Sequence, residues 1–528
     1  MSQHRRNLLR SSAGVAFATL MSRILGLLRV LLEAMVLGGG AFASAWQLAF
    51  MVPNLFRRLL GEGALGTALI PLLIHIEEEE GVEQVRKDMT MIFALLAGIL
   101  ALLVVIVSGG AYLVRPMVES DYARIAWGLM PLLMPYALFI CFIGVIGSIL
   151  NSRHVFFLPA LGALLLNLFL IAGLAAGALH NVSPANPDSM IRFLEGLSGL
   201  VVLSGVIQLL LLVLLLRWKG ITPRLTREAF RGRKEVLVRL WRMVLPGMIG
   251  AGALQLSFLA DRTIAAWLGP QAVPALTYTD RLIDLPIGIF AVTLSSVLMP
   301  ALSRSAAQKD WGGFAEDLTF GLRTVYFIGM PAAVFLLFFW RPVAQLLFLR
   351  GNFLANDLEA MSAVMMIYGA GIPLFCSLKV LLPAFHSRQE MKTPLYVSMG
   401  CIALNILLNL LLMNPLRQGG IALATVISSF LQNAILYYLL RRRGIAPDWK
   451  PVAKTLLRAA VSAVAAAIGA SLLATVAASL AGTRNDLLIT PVLCIAFGIL
   501  YLGLYFLSGG REATEFLTIL RNRRNRTT

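Results

Sequence analysis

Residues 21–71 read MSRILGLLRVLLEAMVLGGGAFASAWQLAFMVPNLFRRLLGEGALGTALIP. Most of this stretch is apolar enough to sit in a lipid bilayer, yet it carries Arg23, Arg29, Glu33, Arg57, Arg58 and Glu62. A charge at bilayer depth costs ~2.5–3.5 kcal/mol on insertion scales. A chain that keeps several of them is predicted to turn them toward a water-filled cavity. The excess is cationic, so the predicted occupant of that cavity is an anion.

Composition sets the class. Of 528 residues, 58% are hydrophobic and only 14% are charged, and mean hydropathy is +0.81. That much apolar surface excludes a soluble domain and implies an all-α polytopic membrane protein. The net charge of +18 would suggest nucleic acid in a soluble protein. Here the basic residues cluster between apolar runs, where they orient a membrane protein. Cys141, Cys376, Cys401 and Cys494 lie inside apolar runs, without a CxxC pair, and read as small buried hydrophobes. The histidines are scattered and suggest no metal site.

About fourteen apolar runs are long enough to span at ~20 residues each. Their approximate cores are 11–37, 41–73, 89–114, 123–150, 156–179, 193–216, 243–268, 273–302, 318–340, 359–385, 394–413, 419–440, 455–480 and 486–508. The second, eighth and tenth exceed the bilayer and are expected to tilt or bend, with Pro53, Pro286 and Pro373 as candidate bends. The acidic run Glu77–Glu80 is expected in a solvated loop. Arg5, Arg6 and Arg10 precede the first run, which lacks a small-residue cleavage site, so it reads as an uncleaved helix starting in the cytoplasm. Arg217 to Arg242, Arg441 to Arg443 and Arg521 to Arg526 then fall on one side, and loops 180–190 and 269–272 on the other hold no Lys or Arg. Both termini are therefore expected in the cytoplasm.

Two patterns recur along the chain. Leu65 to Pro71 (LGTALIP) resembles Leu294 to Pro300 (LSSVLMP), and Ser152-Arg153 with Pro159 resembles Ser387-Arg388 with Pro394. The near-equal offsets imply a duplicated six-span unit, with both copies in one orientation. The expected organisation is an N-lobe over 1–217, a basic cytoplasmic linker over 218–242, a C-lobe over 243–443, and two further spans with a basic tail over 444–528. Two related bundles with a site between them are a transporter architecture.

The candidate substrate-binding residues come from both copies: Arg23, Arg29, Arg57, Arg58 and Glu62, then Asp280, Arg281 and Asp284. Arg29 and Glu33 share a face and can neutralise each other; Arg57 and Arg58 can snorkel to the interface; Arg281 can pair locally. A guanidinium offers a planar fork of donors that is always charged and matches phosphate oxygens, so converging arginines point to a phosphate or pyrophosphate. No phosphate-binding glycine loop appears, which argues against nucleotide hydrolysis. A second polar group is Asp261, Asn405, Asn409 and Thr425. These oxygens suit a hard cation such as sodium, or serve equally as interhelical hydrogen-bond partners.

Four pieces, SRILGLLR (22–29), PNLFRRLLGEGALGTALIP (53–71), YTDRLIDLPIGIFAVTLSSVLMPALS (278–303) and LKVLLPAFHSRQEMKTP (378–394), resemble the MurJ (MviN) family of lipid II flippases. That family sits in a larger group with multidrug and oligosaccharide-lipid exporters. The resemblance covers essentially the whole chain. It implies a non-enzymatic transporter of the bacterial inner membrane that moves lipid II, the undecaprenyl-pyrophosphate-linked peptidoglycan precursor, to the outer leaflet by alternating access. It implies that Arg23, Arg29, Arg57 and Arg281 grip the pyrophosphate, that Glu62, Asp280 and Asp284 shape the cavity, and that spans thirteen and fourteen form a groove for the lipid tail. It implies a sodium site at Asp261, Asn405, Asn409, the Ile421 carbonyl and Thr425, and links to the peptidoglycan synthesis machinery. Val30 and Ser44 stand where relatives often carry acidic residues, and Asn409 where a sodium-binding relative has a carboxylate. The alternatives are a flippase for another polyprenyl-linked oligosaccharide, a cation-coupled drug exporter and, as an enzyme, a polyprenyl-phosphate transferase using Asp280 and Asp284.

Overall fold

The computed structural model describes residues 21–61, 64–153, 155, 159, 162–220, 222–223, 234–481, 486–510, 512 and 514. Among them there is no strand, and the regular structure is helical. In chain order the helices are α1 (21–37), α2 (Ala41–Phe56), α3 (Ala64–Glu80), α4 (Val82–Val114), α5 (Asp121–Leu133), α6 (Pro135–Ser152), α7 (Gly162–Leu179), α8 (Pro187–Trp218) and α9 (Lys234–Trp267). They continue with α10 (Ala272–Pro286), α11 (Val292–Ala307), α12 (Trp311–Phe348), α13 (Ala355–His386), α14 (Lys392–Arg442), α15 (Trp449–Ala481) and α16 (Asp486–Leu507). In lipid every backbone polar group needs an internal partner, and helices supply one. Within the described residues, every expected span falls on a helix or a broken helix pair. Eight of the described helices are long and apolar enough to cross a bilayer unaided, or nine with the α5–α6 pair, which bends by 50°.

The breaks carry the information. Span two is α2, a π turn at Arg57–Gly61, and α3; span eight is α10, a π turn at Ile287–Ala291, and α11. The two π turns start 230 residues apart, close to the spacing of the sequence repeat. Their entries match in detail. The Arg57 N–H is shared between the carbonyls of Pro53 and Asn54, and the Ile287 N–H between those of Ile283 and Asp284. A π turn inserts one extra residue into the helix and re-aims the side chains beyond it. Pro53 and Pro286 each lie within four residues of one. Helix α13 instead stays helical through Pro373.

Helix α14 contains the expected spans eleven and twelve on either side of Arg417, whose φ of 50° and ψ of −135° are not helical. In one continuous helix, residues eight apart would be separated by ~12 Å. A Cβ built on Gly420 would lie only 2.2 Å from the Leu412 carbonyl oxygen, so the chain folds back here and only glycine fits. The Asn405–Thr425 hydrogen bond, 3.3 Å long, closes the same hairpin higher up. The run Glu77–Glu80 is not in a loop: it ends α3, and Glu77 pairs with Arg153 of α6. An exposed helix end carries acidic side chains as readily as a loop does, and Gly81 at a φ of 85° stops the helix directly after it.

Packing divides the chain into two compact units. Unit 1 is Met1–Ala266 with Gly351–Phe353; unit 2 is Trp267–Arg350 with Leu354–Thr528. The lobes read from the repeat part in the basic linker 218–242, whereas the packing units part after Ala266, so α9 groups with the helices before it. In unit 1, α2 lies on α5, α6 on α8 and α3 on α6. In unit 2, α12 lies on α13 and α15, and α15 on α16. Ala459, Ala463, Ala466, Ala467, Ala470 and Ala474 make a buried stripe on α15. Small residues let helices approach closely where lipid removes the hydrophobic drive. Against that stripe runs an aromatic ladder: the Phe327 ring lies 4.7 Å from that of Tyr505, and Phe335 5.2 Å from Phe497.

The ladder ends in a polar lock. Glu512 is 2% exposed and accepts hydrogen bonds from Arg323 (2.9 Å), Thr455 (2.6 Å) and Tyr505, so one carboxylate ties the end of the chain to α12, α15 and α16. Burial by itself raises the Glu512 pKa, but the donors Thr455, Tyr505 and Arg323 outweigh it and bring it down from 4.5 to about 2. A depressed carboxylate pKa stabilises the fold fully above the unfolded value and progressively less as pH falls toward the folded one. We expect Glu512→Gln to lose on the order of 3 kcal/mol at pH 7, read by thermal unfolding in detergent. The gap to wild type should narrow between pH 4.5 and pH 2; a gap independent of pH would show that the carboxylate charge is not what holds the lock.

Candidate substrate-binding site

The predicted cations fall in both units. Arg23 and Arg29 lie on α1 and Arg57 and Arg58 on the π turn, all in unit 1 and all half-buried. Asp280, Arg281 and Asp284 lie on α10 in unit 2. Glu62 lies outside the described residues.

On the π turn the adjacent arginines part company. Arg57 donates from Nε to Asn54 Oδ1 at 2.7 Å, one turn back on its own helix. Arg58 reaches across to α9: its Nη1 donates to Gln255 Oε1 at 3.3 Å, and its guanidinium carbon lies 5.6 Å from the centre of the Phe258 ring. Neither Asn54, Gln255 nor Phe258 carries charge, so these contacts orient the forks without themselves cancelling charge. On α1, Glu33 is buried and accepts from Gln47 Nε2 of α2 at 2.9 Å. On α10, Arg281 Nη1 stands 3.9 Å from Asp284 Oδ2, with 61% of the Asp284 side chain exposed. A pair that open is worth ~0–1 kcal/mol and leaves the guanidinium available.

The sequence marks Arg262 beside Asp261, but gives no sign that it shares an α9 stripe with Gln255 and Phe258. These positions follow i, i+3, i+7 and share one helix face. Arg262 is 3% exposed, and its guanidinium carbon lies 4.8 Å from the centre of the same Phe258 ring. In LSFLADR an aromatic at helical spacing within an apolar run reads as core.

Within unit 2 the members of the second polar group are joined by hydrogen bonds. Asn409 Nδ2 donates to Asn405 Oδ1 (3.2 Å), Asn405 Nδ2 to Thr425 Oγ1 (3.3 Å), and Thr425 Oγ1 to the Ile421 carbonyl (3.1 Å). Asn405, Asn409, Ile421 and Thr425 are in unit 2, and Asp261 is in unit 1. Asn405 Oδ1, Thr425 Oγ1 and the Ile421 carbonyl each accept one of these hydrogen bonds. These bonds make a polar clasp within the α14 hairpin, the alternative to a sodium site.

Long apolar helices and a repeated broken span define a two-repeat membrane transporter. The family model described as "Lipid II flippase MurJ" matches residues 33–489. A probable lipid II flippase MurJ of Vibrio cholerae is 31% identical over 457 residues, 83% of this chain and 84% of the relative. The lipid II flippase MurJ of Burkholderia cenocepacia is 29% identical over 96% of this chain and 98% of its own length. Among solved structures, lipid II flippase MurJ in an inward closed conformation matches with a TM-score of 0.73 at 22% identity, over 93% of this chain and 97% of that one. An inward-facing multidrug transporter of the MATE family, in the MOP superfamily, matches with a TM-score of 0.66 at 15% identity, over 79% and 94%. The chain belongs to the lipid II flippase MurJ family.

Opening the clasp should cost stability. Asn405→Ala leaves the Asn409 amide and Thr425 hydroxyl short of a buried partner, and we expect a loss of ~1–3 kcal/mol. Thermal unfolding should show this loss equally in sodium and in choline buffers; a loss confined to sodium buffer would restore the ion.

Proposed function

We propose that this protein flips lipid II from the cytoplasmic to the periplasmic leaflet of the inner membrane, and that Arg23, Arg29, Arg57, Arg58 and Arg281 are its pyrophosphate contacts. The observation that carries this reading is the holding of Arg57 by Asn54 and of Arg58 by Gln255 and Phe258, which gives the two adjacent forks separate directions. Membership of the lipid II flippase family supplies the substrate. In alternating access the two halves open first to the cytoplasm and then outward, while the polyprenyl tail stays in lipid. The guanidinium donors replace the water that the pyrophosphate leaves behind. Glu62, Asp280 and Asp284 limit the positive potential, so the anion is held reversibly. The bias of Lys and Arg supports cytoplasmic termini. The basic linker and tail are the surfaces we assign to partners in peptidoglycan synthesis. No step is routed through sodium.

Leaflet-resolved transport of lipid II in vesicles containing the full chain tests the assignment. Arg281→Ala and Arg57→Ala should each lower the rate at least about tenfold, the loss expected when a charge-assisted contact worth ~1.5–3 kcal/mol goes. Transport at the wild-type rate by Arg281→Ala would remove the pyrophosphate role. The membrane potential gives an independent check. Two negative charges moving outward in an inside-negative vesicle gain up to ~4.6 kcal/mol per 100 mV, reduced by the screening arginines. Collapsing the potential should therefore slow export, and an unchanged rate would show that the substrate crosses fully neutralised.

A further inference from the structure

The short connection between α12 and α13 is held by a helix far earlier in the chain. The Asn352 backbone N–H donates to the Met35 carbonyl at 2.8 Å. Its side-chain Nδ2 donates to the carbonyls of Val36 at 2.7 Å and Val182 at 3.0 Å. Met35 and Val36 lie in the last turn of α1, where a helix runs out of N–H donors for its own carbonyls. Val182 follows the end of α7. A carboxamide nitrogen carries two hydrogens, one for each of these side-chain bonds. The approach is close enough to dictate the residue before Asn352: Gly351 has a φ of 59°, and a Cβ there would collide with the Met35 oxygen. The residue after it, Phe353, is 2% exposed. Gly351–Phe353 accordingly packs with unit 1, while Arg350 before it and Leu354 after it pack with unit 2.

We infer that Gly351-Asn352-Phe353 is a latch of the transport cycle. Docked on the end of α1, it keeps its side of the protein closed, and Asn352 must let go before the headgroup can leave by that side. The inference rests on alternating access between the two bundles. The loops after α1, α7 and α12 follow the first, fifth and ninth spans. All three spans are odd-numbered, so the three loops share one side of the membrane whichever way the chain is threaded. In the proposed orientation that side is the periplasm. Both flanks of the tripeptide belong to unit 2, so a rocking of the bundles is transmitted to it through the backbone. Its bonds are of a kind that can be broken and remade. All three are neutral amide–carbonyl pairs, and the neighbours Gly351 and Leu354 are exposed, so donors and acceptors find water once parted. Phe353 passes from packing into water on release, which draws the loop back to its seat. Asparagine is the residue such a latch requires. Aspartate has the same shape but would set acceptor oxygens against the Val36 and Val182 carbonyls.

The test uses the full chain in proteoliposomes. Phe353→Cys puts a thiol where docking buries it, and a water-soluble maleimide then reads release, with wild type as the control for the native cysteines. Labelling should be slow in the resting protein. Adding Asn352→Asp should speed it at least about tenfold, as expected when two hydrogen bonds are replaced by facing acceptors. Asn352→Ala should fall between the two. Supplying lipid II should also speed labelling, because each turnover opens the latch. A covalent lock gives a second reading. A Cβ on Gly38 would lie 3.9 Å from that of Asn352, within the span of a disulfide. Gly38→Cys with Asn352→Cys should carry lipid II when reduced, stop on oxidation and resume with dithiothreitol, each protein serving as its own control. If the strained position of Gly38 keeps that variant from folding, the labelling arm decides. Equal labelling of the Phe353→Cys thiol in all three backgrounds, with and without lipid II, would mark a fixed strut and overturn the latch. Undiminished transport by the oxidised pair would overturn it too. Failure of the wild-type chain to carry lipid II would instead strike the proposed function, and the effect of Asn352→Asp on labelling would still report whether Asn352 holds the loop.

Discussion

A guanidinium used to bind an anion inside a membrane has to be oriented without being neutralised. The protein holds arginines in two chemically distinct ways, and the difference sorts them by purpose. Arg323 is met by the buried carboxylate of Glu512, with Thr455 and Tyr505 completing the cage. That arrangement saturates the charge and fastens helices α12, α15 and α16 to one another. Arg57 and Arg58 are met by an asparagine, a glutamine and a phenylalanine ring. Those contacts give each fork a direction. The first kind joins three helices; the second is the kind that the proposed pyrophosphate site uses.

The duplicated broken span explains why the receptor sits where it does. A continuous helix through the membrane satisfies its backbone but gives adjacent residues a fixed separation of about 100°. A π turn alters that separation locally, and here it occurs in both copies with the same shared N–H at its entry. In the first copy the turn begins with the paired arginines. In the second it comes after Asp280, Arg281 and Asp284, which occupy the preceding turns of α10. The backbone device is common to the two halves, whereas the side chains mounted on it differ. Gene duplication and later divergence of side chains give this pattern, and it keeps two unlike sets of charges beside equivalent irregularities in the helix.

Much of this was legible in the sequence because membrane burial is a coarse and strong signal. Apolar runs located every span, and the LGTALIP and LSSVLMP pair by itself revealed the repeat. The arginines stood out because nothing apolar explains them. The features that escaped reading are local or relational. No residue type marks a π turn, and prolines 53, 286 and 373 look alike in sequence although only the first two accompany one. The hairpin at Arg417 depends on Gly420 approaching the Leu412 carbonyl, a contact invisible to periodicity. Glu512 sits near a basic tail where a lone acid reads as solvated, and only the placement of Arg323, Thr455 and Tyr505 shows it buried. Phe258 resembles any core aromatic until Arg58 is seen to face it.

The manner of holding also bears on release. A flippase gains nothing from an anion bound so tightly that it never leaves, and a cluster of bare arginines in low dielectric would do that. The exposed pair of Arg281 with Asp284 offers the complementary case: at 3.9 Å and in contact with water, it is loose enough to exchange one anion for another. Under the proposed role of these arginines, a transporter that must bind, carry and let go of a pyrophosphate is served by contacts of intermediate strength, while the saturated pair at Glu512 fastens α12, α15 and α16 to one another.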